Sequence, residues 1–131
     1  MAEMTIGKAA MAAGVSIDTI RYYQRIGLVD EPPLPMGGQR KYGDGAVLRV
    51  KFIKRAQTLG FTLEETRSLL SFEQVHSCCD TRDLAKRKIQ EIDCRISDLR
   101  RMRKTLSALA ARCELGEEPG PCPIINTLAH N

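Results

Sequence analysis

Apolar residues recur at helical spacing along most of this 131-residue chain, in segments punctuated by glycine and proline. Residues 5–11 read as a short helix, and Gly14 supplies a tight turn because glycine accepts positive φ. Ser16 is a suitable N-cap for a second helix over residues 17–25, with Asp18 in its first turn and Gly27 at its end. Two short helices around a glycine-containing turn form a helix-turn-helix pattern.

Residues 30–42 cannot be helical, since they carry Pro32, Pro33, Pro35 and the pair Gly37-Gly38. Extended chain, glycine turn and the return Gln39-Arg40-Lys41-Tyr42 predict a small hairpin, or wing, with a bare surface loop as the alternative. Asp44 is placed to cap a helix running to Leu59, stopped by Gly60. Thr62 and Glu65 have capping-box spacing, which predicts a helix over 63–70 and a connector to Cys79.

From Asp80 to Cys113 there is neither Gly nor Pro. Ala85, Ile92, Leu99, Leu106 and Cys113 are seven apart, and Ile89, Ile96 and Ala110 form a second line that Arg103 interrupts. This is a coiled-coil seam. At 1.5 Å per residue the helix is about 50 Å long, too long for the rest of the chain to cover. The seam therefore predicts a second copy of the chain as its partner. Residues 114–121 are rich in Gly, Pro and Glu, and Pro123 suits the first turn of a short terminal helix. The expected fold is mainly α: a winged helix-turn-helix over 1–72, a connector over 73–79, an antiparallel coiled-coil dimerisation helix over 80–113, and a metal-binding loop with a terminal helix over 114–131.

Composition adds less than the pattern. Hydrophobic residues are 43% of the chain, so a core is available, yet no apolar run reaches the length of a membrane span. Nor does the N-terminus resemble a signal peptide, so a cytoplasmic location is expected. The net charge of +4 is modest. Between residues 40 and 55, however, six basic residues (Arg40, Lys41, Arg49, Lys51, Lys54, Arg55) face one acid, Asp44. That local excess fits either phosphates or a solvated helix face.

Five cysteines in a reducing compartment suggest packed fillers, reactive thiols or metal ligands rather than disulfides. Cys78 and Cys113 are 35 residues apart, five heptads, at opposite ends of the long helix. An antiparallel pair of helices brings Cys78 of one chain to Cys113 of the other, with Cys122 folding back as a third ligand. Three thiolates make a soft, anionic site that selects soft metals over Mg or Ca. Cys79 or His76 is the available fourth ligand; Cys94 falls off the seam and reads as an ordinary helix residue. A cysteine-dependent enzyme is the competing class. Against it, there are only two histidines, neither with an evident orienting partner, and no glycine-rich phosphate loop. A plain coiled-coil interaction protein would leave the helix-turn-helix unexplained.

Thr19-Ile20-Arg21-Tyr22-Tyr23 followed by Gly27-Leu28 resembles the recognition-helix pattern of MerR-family regulators. Arg40-Lys41-Tyr42 is similar to their wing motif, and Phe52-Ile53 through Leu59-Gly60-Phe61-Thr62-Leu63 to the segment after it. Cys78, Cys113 and Cys122-Pro123-Ile124-Ile125 look most like the mercury-responsive branch. The resemblance implies a homodimer on double-stranded promoter DNA, repressing without metal. With metal, it activates RNA polymerase by distorting the promoter. It further implies that Cys78 of one protomer and Cys113 and Cys122 of the other hold Hg(II), and that Lys8, Ser16, Thr19, Arg21, Tyr22, Tyr23, Arg40 and Tyr42 lie on DNA. Cys79 departs from the mercury pattern, and an additional thiolate suits Pb(II), Cd(II) or Zn(II) instead.

Overall fold

The computed structural model describes residues 3–114 and 122–130. Six helices follow in order: α1 (Ile6–Ala13), α2 (Ile17–Arg25), α3 (Asp44–Thr58), α4 (Leu63–Gln74), α5 (Cys78–Glu114) and α6 (Pro123–Ala129). The chain divides into two compact units, one ending at Leu84 and one starting at Ala85. No helix of the described residues is long and apolar enough to cross a membrane.

In the first unit, α1 packs on α2 and α3, and α3 packs on α4. Alanines make the close approach of α1 possible, with Ala9, Ala10 and Ala13 on its buried face. Val47, Val50, Ile53 and Ala56 repeat every three residues along the buried face of α3, and the first three meet the same core. Ile20, Leu28 and Val29 complete it. The helix-turn-helix forms as the sequence predicts. Thr5 caps α1, Ser16 caps α2 through the Thr19 N–H (3.1 Å), and Gly14 sits between them at φ 73°. That left-handed conformation is the one glycine adopts without strain. The Thr62–Glu65 capping box is also present in full.

Ile53 is fully buried at the centre of this unit. Ile53→Ala should cost about 2–5 kcal/mol in urea unfolding. Leu48→Ala, on the exposed face of the same helix, should stay within about 0.5 kcal/mol.

Four local expectations are corrected. Asp44 is not the N-cap of α3; Gly43 takes that position without a side-chain bond, and Asp44 enters the first turn. Helix α4 runs on to Gln74, beyond residue 70. The return leg of the wing pairs with the N-terminus rather than with its own outgoing leg. Met4 and Tyr42 exchange both backbone hydrogen bonds (2.8 and 2.7 Å) in an isolated antiparallel bridge, and the described residues contain no longer strand. Prolines 32, 33 and 35 lack the N–H groups that an outgoing hairpin strand would need. Finally, α5 starts at Cys78, two residues before Asp80.

That early start has a local cause. Helix α4 closes with His76 in the left-handed region (φ 53°), the Ser77 N–H bonding the Phe72 carbonyl (2.9 Å) and the His76 N–H bonding that of Glu73 (3.2 Å). This is a Schellman closure. Ser77 follows at once, its hydroxyl donating to Asp80 Oδ2 (2.6 Å) and its carbonyl accepting from Thr81. Only Val75, His76 and Ser77 separate α4 from α5, so Cys78 is pinned at the first helical position.

Helix α5 is one helix of 37 residues, about 55 Å long, which begins in the last residues of the first unit and makes up most of the second. Ile89, Ile92, Ile96, Leu99, Met102 and Leu106 are all exposed along it. They trace the heptad seam except for Met102, which stands beside the position that Arg103 breaks.

Candidate functional site

Two surfaces carry chemistry, one in each unit. The first is built on α2. The Ser16 and Thr19 hydroxyls are hydrogen-bonded to each other (2.9 Å) at its start, while Arg21, Tyr22 and Arg25 stand exposed along it. Arg21 and Arg25 line a cleft closed by Thr5, Ile6 and Gly7 at the start of α1 and by Gln39 and Arg40 of the wing. Lys8 is exposed on α1. The Arg40 guanidinium is held by the Pro32 carbonyl (2.9 Å) and the Glu31 carboxylate (3.1 Å). The acids Asp18 and Glu31 line the same cleft, Glu31 paired with Arg40, so Arg21 and Arg25 supply the positive charge left for an anionic backbone.

Arg25 was not singled out from the sequence. The signal was its i+4 spacing from Arg21, which puts both on one helix face. Its guanidinium lies 5.6 Å from the Tyr22 ring centroid, over the ring face.

Two residues expected on DNA are placed inside instead. Tyr23 and Tyr42 are only 4% and 3% exposed. The Tyr23 hydroxyl donates to Gln57 Oε1 (2.7 Å), and the Tyr42 hydroxyl accepts from Gln24 Nε2 (2.8 Å). Burial, helped by neighbouring Tyr22, pushes the Tyr23 phenol above its ordinary pKa. These tyrosines fasten α2 to α3 and the wing to α2, and so hold the arginines in place. Part of the basic cluster is structural too. Arg49 bonds the Leu28 carbonyl (2.8 Å) and Lys54 the Gly14 carbonyl.

Arg21→Ala should weaken operator binding by about 1–3 kcal/mol in fluorescence anisotropy. Tyr42→Phe, which removes a hydroxyl turned inward, should cost about 1 kcal/mol of stability and leave DNA affinity within about threefold.

The second surface is built on thiols. Cys113, in the last turn of α5, and Cys122, directly before α6, have their sulfurs 3.5 Å apart. Pro123 starts α6 because its missing N–H is not needed there. The N–H groups of Ile125 and Ile124 then lie near the Cys122 sulfur, although none makes a full capping bond. They lower the Cys122 pKa, Ile125 most, and the Cys113 thiol adds to the effect. Sharing a proton with Cys122 raises Cys113, with a further contribution from burial.

Cys78 and Cys79 are exposed at the opposite end of α5, and Cys94 is exposed along its length. The fold thus brings Cys113 and Cys122 together but leaves Cys78 35 residues away along one helix, about 50 Å. Among the described residues no three His, Cys, Asp or Glu side chains converge on a point that could hold a metal ion. His76 and His130 are both exposed. One chain offers two thiols at one end of the helix and a cysteine doublet at the other.

A helix-turn-helix with an arginine-lined cleft, followed by a long helix that ends in paired thiols, is the architecture of a DNA-binding regulator. Residues 4–73 match the family model "MerR HTH family regulatory protein", and residues 47–109 match "MerR, DNA binding". The chain belongs to the MerR family of helix-turn-helix regulators, and is a DNA-binding transcription regulator rather than an enzyme. It is 43% identical over 125 residues to a mercuric resistance operon regulatory protein of Shigella flexneri, covering 95% of this chain and 87% of the other. Among solved structures it is similar to MerR of Bacillus megaterium MB1 in complex with mercury(II), with 40% identity, a TM-score of 0.70, and coverage of 96% and 99%. It is also similar to PbrR691 of Ralstonia metallidurans CH34 in complex with lead(II), with 28% identity, a TM-score of 0.80, and coverage of 95% and 98%.

Proposed function

We propose that this regulator acts as a homodimer on promoter DNA in the cytoplasm and responds to Hg(II) through Cys78 of one protomer with Cys113 and Cys122 of the other. The observation that carries the proposal is the 3.5 Å thiol pair at one end of a helix whose other end begins with Cys78. The apolar stripe between those ends supports it, being exposed in the single chain and long enough to need a second helix. Antiparallel pairing of two α5 helices aligns Ile92 with Leu99 and Ala85 with Leu106. In the same register Cys78 meets Cys113, twice per dimer.

The donor set fits the ion. Three thiolates favour a soft cation, and Hg(II) bound there would link the two protomers. The relatives named for mercuric resistance support the same reading. Each sensing end stands beside the three-residue link from α5 to α4, so a shift of Cys78 is passed to the arginine-lined cleft of its own chain. Lys8, Ser16, Thr19, Arg21, Tyr22, Arg25 and Arg40 face the DNA, with Tyr23 and Tyr42 supporting them from the core. The metal-free dimer represses. The metal-bound dimer favours bent and untwisted DNA and opens the promoter to RNA polymerase.

A second reading has its own observation. Cys79 is exposed next to Cys78, and a fourth thiolate suits Pb(II), Cd(II) or Zn(II). Titration of the reduced protein with Hg(II), Pb(II), Cd(II), Zn(II) and Cu(I), followed by thiolate charge-transfer absorption, separates the two. Saturation at one Hg(II) per chain in competition with the others supports the first reading. Preference for Pb(II), Cd(II) or Zn(II), lost in Cys79→Ser, supports the second.

A further inference from the structure

We infer that Cys113 and Cys122 also form an oxidation-sensitive pair, closing to an intrachain disulfide that blocks the metal response; this rests on their proposed role as metal ligands. Their sulfurs are already 3.5 Å apart, close to van der Waals contact, so closure to the roughly 2.05 Å of a disulfide needs a shift of about 1.5 Å. Both thiols are accessible, Cys122 exposed and Cys113 partly so. Each lies at the end of a helix rather than within one, so the adjustment falls at a helix terminus and leaves the length of α5 intact. Within one chain, each of the other cysteines lacks such a neighbour. Cys78 and Cys79 are consecutive on α5, where side chains diverge by about 100°, and Cys94 stands alone along it.

The oxidant is a hydroperoxide, of which hydrogen peroxide is the simplest. The sulfur of one cysteine attacks a peroxide oxygen, the O–O bond breaks, and a sulfenic acid and one water form. The second cysteine then attacks that sulfur, the S–O bond breaks, and the oxygen leaves as a second water. Two thiols lose two hydrogens in total and one peroxide is reduced to two waters. With both sulfurs bonded to each other, neither is a thiolate ligand, and only Cys78 of the proposed set remains. The regulator then stays in its metal-free state until a dithiol reduces it.

The test treats the reduced, metal-free full-length protein with near-stoichiometric hydrogen peroxide at neutral pH. Thiol counting, non-reducing peptide mapping, DNA binding and Hg(II) binding follow. The expected result is loss of two thiols per chain and one cross-linked peptide joining Cys113 to Cys122. Operator affinity should be retained, Hg(II) binding lost, and dithiothreitol should restore it. In Cys122→Ser the same treatment should leave Cys113 as a sulfenic acid that dimedone traps. Disulfides between chains, a Cys78–Cys79 product, or no disulfide at all would overturn the inference. Hg(II) titration of the untreated reduced protein runs in parallel. Failure there counts against the proposed function, while the peptide map still decides the disulfide.

Discussion

Replacing any one of Cys78, Cys113 and Cys122 by serine should reduce metal-induced transcription to its uninduced level while operator affinity stays within about twofold. The physical reason is ligand softness: a serine hydroxyl is a hard, neutral oxygen at neutral pH and does not replace a thiolate for Hg(II). A three-ligand site that loses Cys78 keeps two donors from one chain and no link to the other, and one that loses Cys113 or Cys122 keeps one from each and falls from three-coordinate to two-coordinate geometry. All three side chains lie away from the arginine-lined cleft in the sequence of elements, and none belongs to the core of the first unit. Reporter transcription across a metal series, together with anisotropy on operator DNA, measures both halves. Cys94→Ser is the control and should respond as the parent protein does. A normal response from Cys113→Ser would remove that residue from the ligand set.

The second large effect concerns the seam of α5. Leu99 is 60% exposed in the single chain, so a polar residue there does not disturb the fold of a protomer. In the proposed dimer it is covered by the partner helix. Leu99→Asp then buries an unpaired carboxylate at two symmetric positions, each costing on the order of 3 kcal/mol. The dimer dissociation constant should rise by at least about a hundredfold. Analytical ultracentrifugation reads the change directly, and an unaltered helical circular-dichroism spectrum shows that the protomer still folds. Operator affinity falls with it, because two linked DNA-binding units no longer act together. An unchanged dimer would mean that the stripe of Ile92, Ile96 and Leu99 is covered by something else.

The helical part of this fold was legible from local signals. The Ser16 cap, the left-handed Gly14 and the Thr62–Glu65 box each fix a helix end within a few residues, and each is found where the sequence predicts it. The heptad pattern, free of Gly and Pro, predicted α5, and its start moved by two residues because the Ser77 carbonyl already accepts the first bond of the helix, from the Thr81 N–H. The wing was not legible in the same way. Alternation and turn residues predicted a hairpin, but pairing partners are set by tertiary contacts, and Tyr42 found Met4.

The sites show the same division. The fold-back of Cys122 to Cys113 was expected from a short, Gly- and Pro-rich linker, and the sulfurs are in fact adjacent. Tyr23 and Tyr42 were misplaced because an aromatic beside basic residues has the same pattern whether it stacks on DNA or packs inward. What decides is whether the hydroxyl finds a partner within the protein, as both do here in Gln57 and Gln24. Arg49 and Lys54 carry the same lesson: long basic side chains next to an unsatisfied carbonyl serve the fold before they serve a ligand.

The most direct test of the cross-protomer site is complementation between two inactive variants. Cys78→Ser and Cys113→Ser chains, differently tagged, are refolded together and the mixed dimer is purified. Each parent homodimer should bind no Hg(II) at the three-thiolate site, whereas the mixed dimer should bind one ion, at the end where Cys78 of one chain meets Cys113 and Cys122 of the other. A stable mixed dimer that binds no Hg(II) would contradict ligation between protomers.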